Sequence, residues 1–211
     1  ITHPIAVGRE DGQLVVAFEA IEGTSLLRLM RYVDEQNERL GDGAAMHIGL
    51  ALMGALTDAH GARMAGRTAP ILHGQLGPHQ VLISWDGQVK VIGFGLAPVL
   101  MGSAATTLPG WLQPYLAPEV RTGNPVTVRA NVYSAAAMLW SLLSHQPLPP
   151  AEQRPERLRR LRPDLPPSVT FPLDRALEPS PERRISAKAL EVGLSRAVSD
   201  ADREELRWAM E

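Results

Sequence analysis

The loop His73-Gly74-Gln75-Leu76-Gly77-Pro78-His79-Gln80-Val81-Leu82 places two imidazoles and two carboxamides close together. Imidazoles suggest metal binding, and His73 and His79 could pair with His60 or His47, but no carboxylate or Cys completes a set with ligand spacing. A packed histidine at position 73 is the reading that remains. Gln75 cannot take a proton as a base near neutral pH, although its amide can orient a hydroxyl. Gly93-Phe94-Gly95 offers no side-chain ligand, and the nearest carboxylate, Asp86, falls at the tip of a turn. Two other features point outward. Arg154, Arg157, Arg159, Arg160 and Arg162 could dock an acidic partner or a phosphate, or form a solvated face beside Glu156 and Asp164. Trp111 is either an exposed binding hot spot or a buried filler.

Composition removes several classes of function. The 211 residues contain no Cys, so disulfides, thiolate catalysis and cysteine metal sites are excluded. A net charge of -2 gives no global basic field, so nucleic acid is not an expected partner. No apolar run approaches the roughly 20 residues that span a bilayer, and membrane insertion by this segment is not expected. The chain opens at Ile1 without an initiator Met or signal peptide, which reads as a piece of a longer protein. The expected location is the cytoplasm, where the parent could still be membrane-linked. High Ala, Arg and Pro with only two Lys, at 90 and 188, fits a GC-rich bacterial genome.

The elements that must position these residues follow from pattern. Ile5 to Val7 and Leu14 to Phe18 read as antiparallel strands around an Asp11-Gly12 turn, and Val81 to Ser84 and Val89 to Ile92 as a second hairpin around Asp86-Gly87. Thr24 or Ser25 can cap a helix that ends at the polar break Gly41-Asp42-Gly43. Residues 44–60 and 128–143 are apolar on most sides and predict two buried helices. The segment from Pro98 to Pro118 reads as irregular. A short helix is expected over Leu173 to Leu177, another over Ser186 to Val198, and a last one capped at Ser199 and running through Trp208.

Six landmarks in order resemble the protein kinase family, specifically its bacterial serine/threonine members. His3-Pro4 resembles the His-Pro after the C helix, and the 73–82 loop resembles the catalytic loop. Gly93-Phe94-Gly95 stands where kinases have Asp-Phe-Gly. Ala117-Pro118-Glu119 is a full Ala-Pro-Glu motif, Asn131-Val132-Tyr133-Ser134 resembles the start of the F helix, and Arg183 to Ala187 resembles the final Arg-x-Ser-Ala helix. The resemblance implies an α+β, kinase-like fold: a mainly α-helical C-terminal lobe with two short β-hairpins, the N-terminal lobe largely missing. Residues 1–23 would be the end of the N-lobe sheet and the hinge, 24–198 the C-lobe, and 199–211 a helical extension.

The resemblance also assigns roles. Phe18 would be the gatekeeper, with Glu19, Ile21 and Leu82 lining a vestigial nucleotide cleft. His73 and Phe94 would be packing residues of the internal spine, Glu119 would pair with buried Arg184, and Asn131 would replace an Asp that braces the catalytic loop. The catalytic Asp becomes Gln75, the loop Lys Gly77, and the magnesium ligands Gln80 and Gly93. These four losses imply a pseudokinase: not an enzyme, with no catalytic residue, metal or cofactor, acting as a protein-interaction or allosteric scaffold in bacterial signalling or assembly. Its partner surface would include Trp111, Arg157 and Arg160. The alternatives are an atypical nucleotide-using transferase, or an ATP-binding switch, completed by an upstream lobe.

Overall fold

Local chemistry sets the order of elements in the computed structural model, which describes residues 1–2, 4–62, 69–95 and 109–210. His3 and most of the segment from Pro98 to Pro118 lie outside the described residues. Strands β1 (Pro4–Glu10) and β2 (Gln13–Phe18) pair antiparallel through Asp11-Gly12, both at positive φ, the two-residue turn whose twist suits a hairpin. β3 (Gly23–Ser25) then leads into α1 (Leu26–Glu35), whose N-cap is Ser25. α1 stops short of the expected break at Gly41-Asp42-Gly43, and α2 (Asp42–Gly61) starts within it, its N-cap Gly41. β4 (Val81–Ser84) and β5 (Val89–Val91) form the second hairpin. β3 adds to its open edge, making a three-stranded sheet where a two-stranded one was expected.

After a 3₁₀ turn over Gly110–Tyr115 come α3 (Pro118–Arg121) and α4 (Val128–Ser144). Thr127 caps α4 by accepting from the Ala130 amide, and His145 closes it in the left-handed conformation. α5 (Leu158–Leu161) and α6 (Pro167–Ala176) follow. α6 starts six residues before the expected Leu173, because Pro167 has a φ already suited to the first helical turn and its missing N–H is not needed there. α7 (Ala187–Ser195) and α8 (Asp200–Trp208) complete the described chain, α8 through a Ser199/Asp202 capping box.

The architecture is α+β, dominated by helices. α4 is buried from Ala130 to Ser144, and it packs against α2, which in turn meets α7 and α8. A helix apolar on all sides can be stable only in such a surrounded position. α8 is fixed at both ends of its reach. Glu205 accepts from the Ala44 amide in the first turn of α2, where a carboxylate complements the helix dipole, and Arg203 donates to the Asp86 carbonyl in the β4–β5 turn. Any side chain at Gly41 or Gly43 would collide with Glu205 or Asp202. Among the described residues no helix is long and apolar enough to cross a membrane.

Candidate functional site

The loop after α2 is organised by His73, which has no exposed surface. Its ring Nε2 lies 2.8 Å from the Ile92 carbonyl, a pure acceptor, so Nε2 carries the proton. Its backbone N–H donates to Asn131 Oδ1 at 3.0 Å, and His60 Nε2 reaches the same oxygen at 3.4 Å. The amide at position 131 therefore braces the loop from the first turn of α4. Phe94 meets the His73 ring edge to face, centroids 4.9 Å apart. Burial lowers the His73 pKa to about 4. His73 is thus a neutral structural hub joining the residue after β5, the first turn of α4 and the turn at Phe94.

Around this hub, side chains fill the volumes left by two glycines. Gly93 has φ +88°, and a Cβ there would lie 3.0 Å from Gln80 Nε2 and 3.4 Å from His73 Cε1. Gln80 occupies that corner, its Oε1 buried without a hydrogen-bond partner. At Gly77 a Cβ would lie 2.5 Å from Leu112 Cδ1 and 3.2 Å from His79 Nδ1. Leu112, 2 % exposed, comes from the 3₁₀ turn and plugs the floor. Beside it Trp111 stands edge-on to His79 at 5.0 Å and remains 41 % exposed. Gln75, in the same loop, is half-buried. That residue 112 meets residue 77 can be read only from contact distance.

The supports lie on either side. Arg184, whose side chain is fully enclosed, grips Glu119 through two bonds of 2.7 and 3.0 Å and also donates to the carbonyls of Arg129, Glu178 and Pro179. On the other side, Phe18 ends β2 half-buried, Glu19 pairs with Lys90 at 2.9 Å, and Leu82 lies on β4 opposite Lys90 and Ser25. Ile21 and Lys90 line a cavity of about 300 Å³ beside Trp85. The structure thus brings together Gln75, Gly77, Gln80, Gly93, His73, Phe94, Asn131 and Trp111. Arg157 and Arg160 lie apart, on and beside α5.

The protein kinase domain family profile matches residues 1–192. A probable serine/threonine-protein kinase PknB of Lactococcus lactis is 31 % identical over 69 % of this chain and 23 % of its own length. The serine/threonine-protein kinase PrkC of Bacillus subtilis is 28 % identical over 68 % of this chain and 22 % of its own. The chain spans less than a quarter of either relative. Among solved structures, the Mycobacterium tuberculosis PknI kinase domain (C20A mutant) superposes with a TM-score of 0.68, 26 % identity, and coverage of 93 % of this chain and 70 % of that one. These likenesses correct the expectation of a non-enzyme drawn from Gln75, Gly77, Gln80 and Gly93. The matching profile is that of the kinase domain itself, and these relatives are named as kinases.

Proposed function

Since the chain belongs to the protein kinase domain family, we propose that it is the C-terminal lobe of an atypical nucleotide-using phosphotransferase of the bacterial serine/threonine type, completed by an upstream lobe. The observation that carries this reading is the bracket around His73. Its bonds to Ile92 and Asn131 hold the loop that presents Gln75 in a fixed conformation, although the carboxylates have gone. Phosphoryl transfer through a loose transition state relies mainly on positioning and charge, since little proton transfer has occurred when the phosphoryl group moves. Gln75 can accept a hydrogen bond from a substrate hydroxyl and hold it in line. Lack of a general base then slows the reaction by about 10²- to 10⁴-fold without changing its class.

Magnesium, which the family implies, is a poor fit to this lobe. That ion takes hard oxygens in octahedral geometry, usually with one or two carboxylates. Here Gly93 supplies no ligand, and the free acceptor in that corner is one amide oxygen, Gln80 Oε1. The steps assigned to this chain are therefore positioning steps: the loop sets Gln75, and the Leu112 floor keeps water from the volume under Gly77. Exposed Trp111 at the rim favours an added role in docking the protein that is modified or regulated.

The test is transfer of labelled γ-phosphate from ATP to mixed protein substrates by the full-length protein. Slow incorporation is expected, reduced at least about tenfold by Gln75→Ala with no change in melting temperature. No incorporation, with no nucleotide-dependent thermal shift of the same protein, refutes the proposal.

A further inference from the structure

The basic run that follows α4 is sorted by the fold into spent and available cations. Arg154 pairs with Glu178 at 2.9 Å, and Arg162 bridges Asp42 and Asp164. Arg157 and Arg160 are exposed and make no ion pair among the described residues. Arg159 reaches sideways, its guanidinium 5.1 Å from the centre of the Phe171 ring. Phe171 lies on the outer face of α6 and is 50 % exposed, an unusual position for an aromatic side chain that the core could have taken. One helical turn on, Arg175 is exposed and donates to the Arg183 carbonyl, leaving its charge unmatched by a carboxylate there.

Two carboxylates of this corner are engaged by the fold. Asp174 is 6 % exposed, its Oδ1 accepting from the Leu158 amide at 2.7 Å and its Oδ2 lying 3.6 Å from Arg159 Nε. Glu178 is held by Arg154. Glu152, Glu156 and Glu182 are also exposed nearby in the chain, yet Arg157, Arg160 and Arg175 have no ion-pair partner among the described residues. These cations stand on a chain whose net charge is -2. An exposed aromatic centre within a rim of arginines has the composition of a protein-binding hot spot.

We infer that the α5–α6 corner, centred on Phe171 and rimmed by Arg157, Arg160 and Arg175, docks an acidic protein segment that places an apolar side chain against the Phe171 ring. The charge of the rim selects carboxylates, and the ring selects against a bare polyanion. Nucleic acid suits the corner less well. Arg159 already covers one face of its only exposed aromatic ring, and strand binding draws on several stacked bases along a basic groove. The site is independent of the cleft, so it stands whether or not the phosphotransfer reading holds.

The experiment measures fluorescence anisotropy of a labelled peptide in which glutamates flank a central phenylalanine, titrated with the chain at low salt. Saturable binding is expected, weakened at least about tenfold by Arg157→Glu with Arg160→Glu, a charge term of roughly 1.4 kcal/mol or more. Phe171→Ala is expected to weaken it roughly threefold while leaving its salt dependence in place. Melting curves of the charge-reversal variant should match the parent, because both arginines are exposed. Four outcomes overturn the inference: no binding; equal binding by the charge-reversed chain; equal binding by a peptide with glycine in place of the phenylalanine; or tighter binding of single-stranded RNA to the same arginines. Concentration-dependent self-association abolished by the charge reversal would assign the corner to a second copy and overturn it as well.

Discussion

Gly93→Asp restores in one step the carboxylate that the family pattern has at this position, and the structure says what that change meets. The backbone there has φ +88°, beyond the left-handed well near +57° that non-glycine residues occasionally occupy. Holding a side chain in such a region costs about 1–3 kcal/mol. The new Cβ would stand 3.0 Å from Gln80 Nε2, so the end of that amide must also withdraw. For a chain of this size each kcal/mol moves the melting temperature by about 2–4 °C, so the expected fall is about 2–12 °C. Adding Gln80→Asn shortens the filler by one methylene and should recover part of the fall, while the backbone component persists. Differential scanning fluorimetry of the parent, both single variants and the double variant forms a complete cycle. If Gly93→Asp melts with the parent, or Gln80→Asn brings no relief, Gln80 does not hold the Gly93 corner and the coupling argument is wrong.

Two further outcomes test the supports of the site. Glu119→Ala leaves the enclosed Arg184 guanidinium with carbonyl partners but no counter-charge, which should cost about 3–5 kcal/mol. That corresponds to a melting temperature lower by about 6–20 °C, and a fall under about 2 °C would contradict the buried-pair account. His73 has a folded-state pKa of about 4, below its ordinary 6.5, so the unfolded chain binds a proton that the folded chain refuses. Its contribution to stability is therefore complete above pH 6.5 and lost as pH falls through 4, about 3 kcal/mol in all. Urea midpoints between pH 7 and pH 4.5 should fall more steeply for the parent than for His73→Phe. Equal slopes would show that His73 is not the group responsible, because His60 and His79 contribute alike to both proteins.

The parts of this fold that could be read in advance are those written in consecutive residues. The Asp-Gly turns, the all-round apolar helices α2 and α4, and the Ser199 cap each depend on neighbours within a few positions. β3 was missed because three residues carry too little periodicity to register as a strand. The start of α6 lies in a proline-rich stretch with no helical periodicity to mark it, although at a first turn proline is compatible with a helix. In the site, the loop and the Gly93 turn were located by motif, but their meaning depends on distance. Nothing in the spacing of Gly77 and Leu112 reveals that one fills the place of the other's missing side chain. Asn131 stands where the resemblance puts a bracing Asp, and its single amide oxygen accepts from His73 and lies within reach of His60. The four changes looked like separate deletions of chemistry, and the functional expectation built on them was the part the kinase relatives overturned.

The contact between α8 and the start of α2 bears on where this unit can be divided. The family profile's match ends at residue 192, whereas α8 spans Asp200–Trp208. Gly41 and Gly43 leave room for the acidic side chains of that later helix, and a Cβ at either glycine would force the ends of Glu205 or Asp202 to move. A shortened gene that stops at residue 192 would keep the half of the joint with the empty space and discard the half that fills it. Ala44 would then face water with its amide uncapped, and the β4–β5 turn would lose Arg203 in the same cut. The matched region and α8 are one physical piece, although the family profile ends between them.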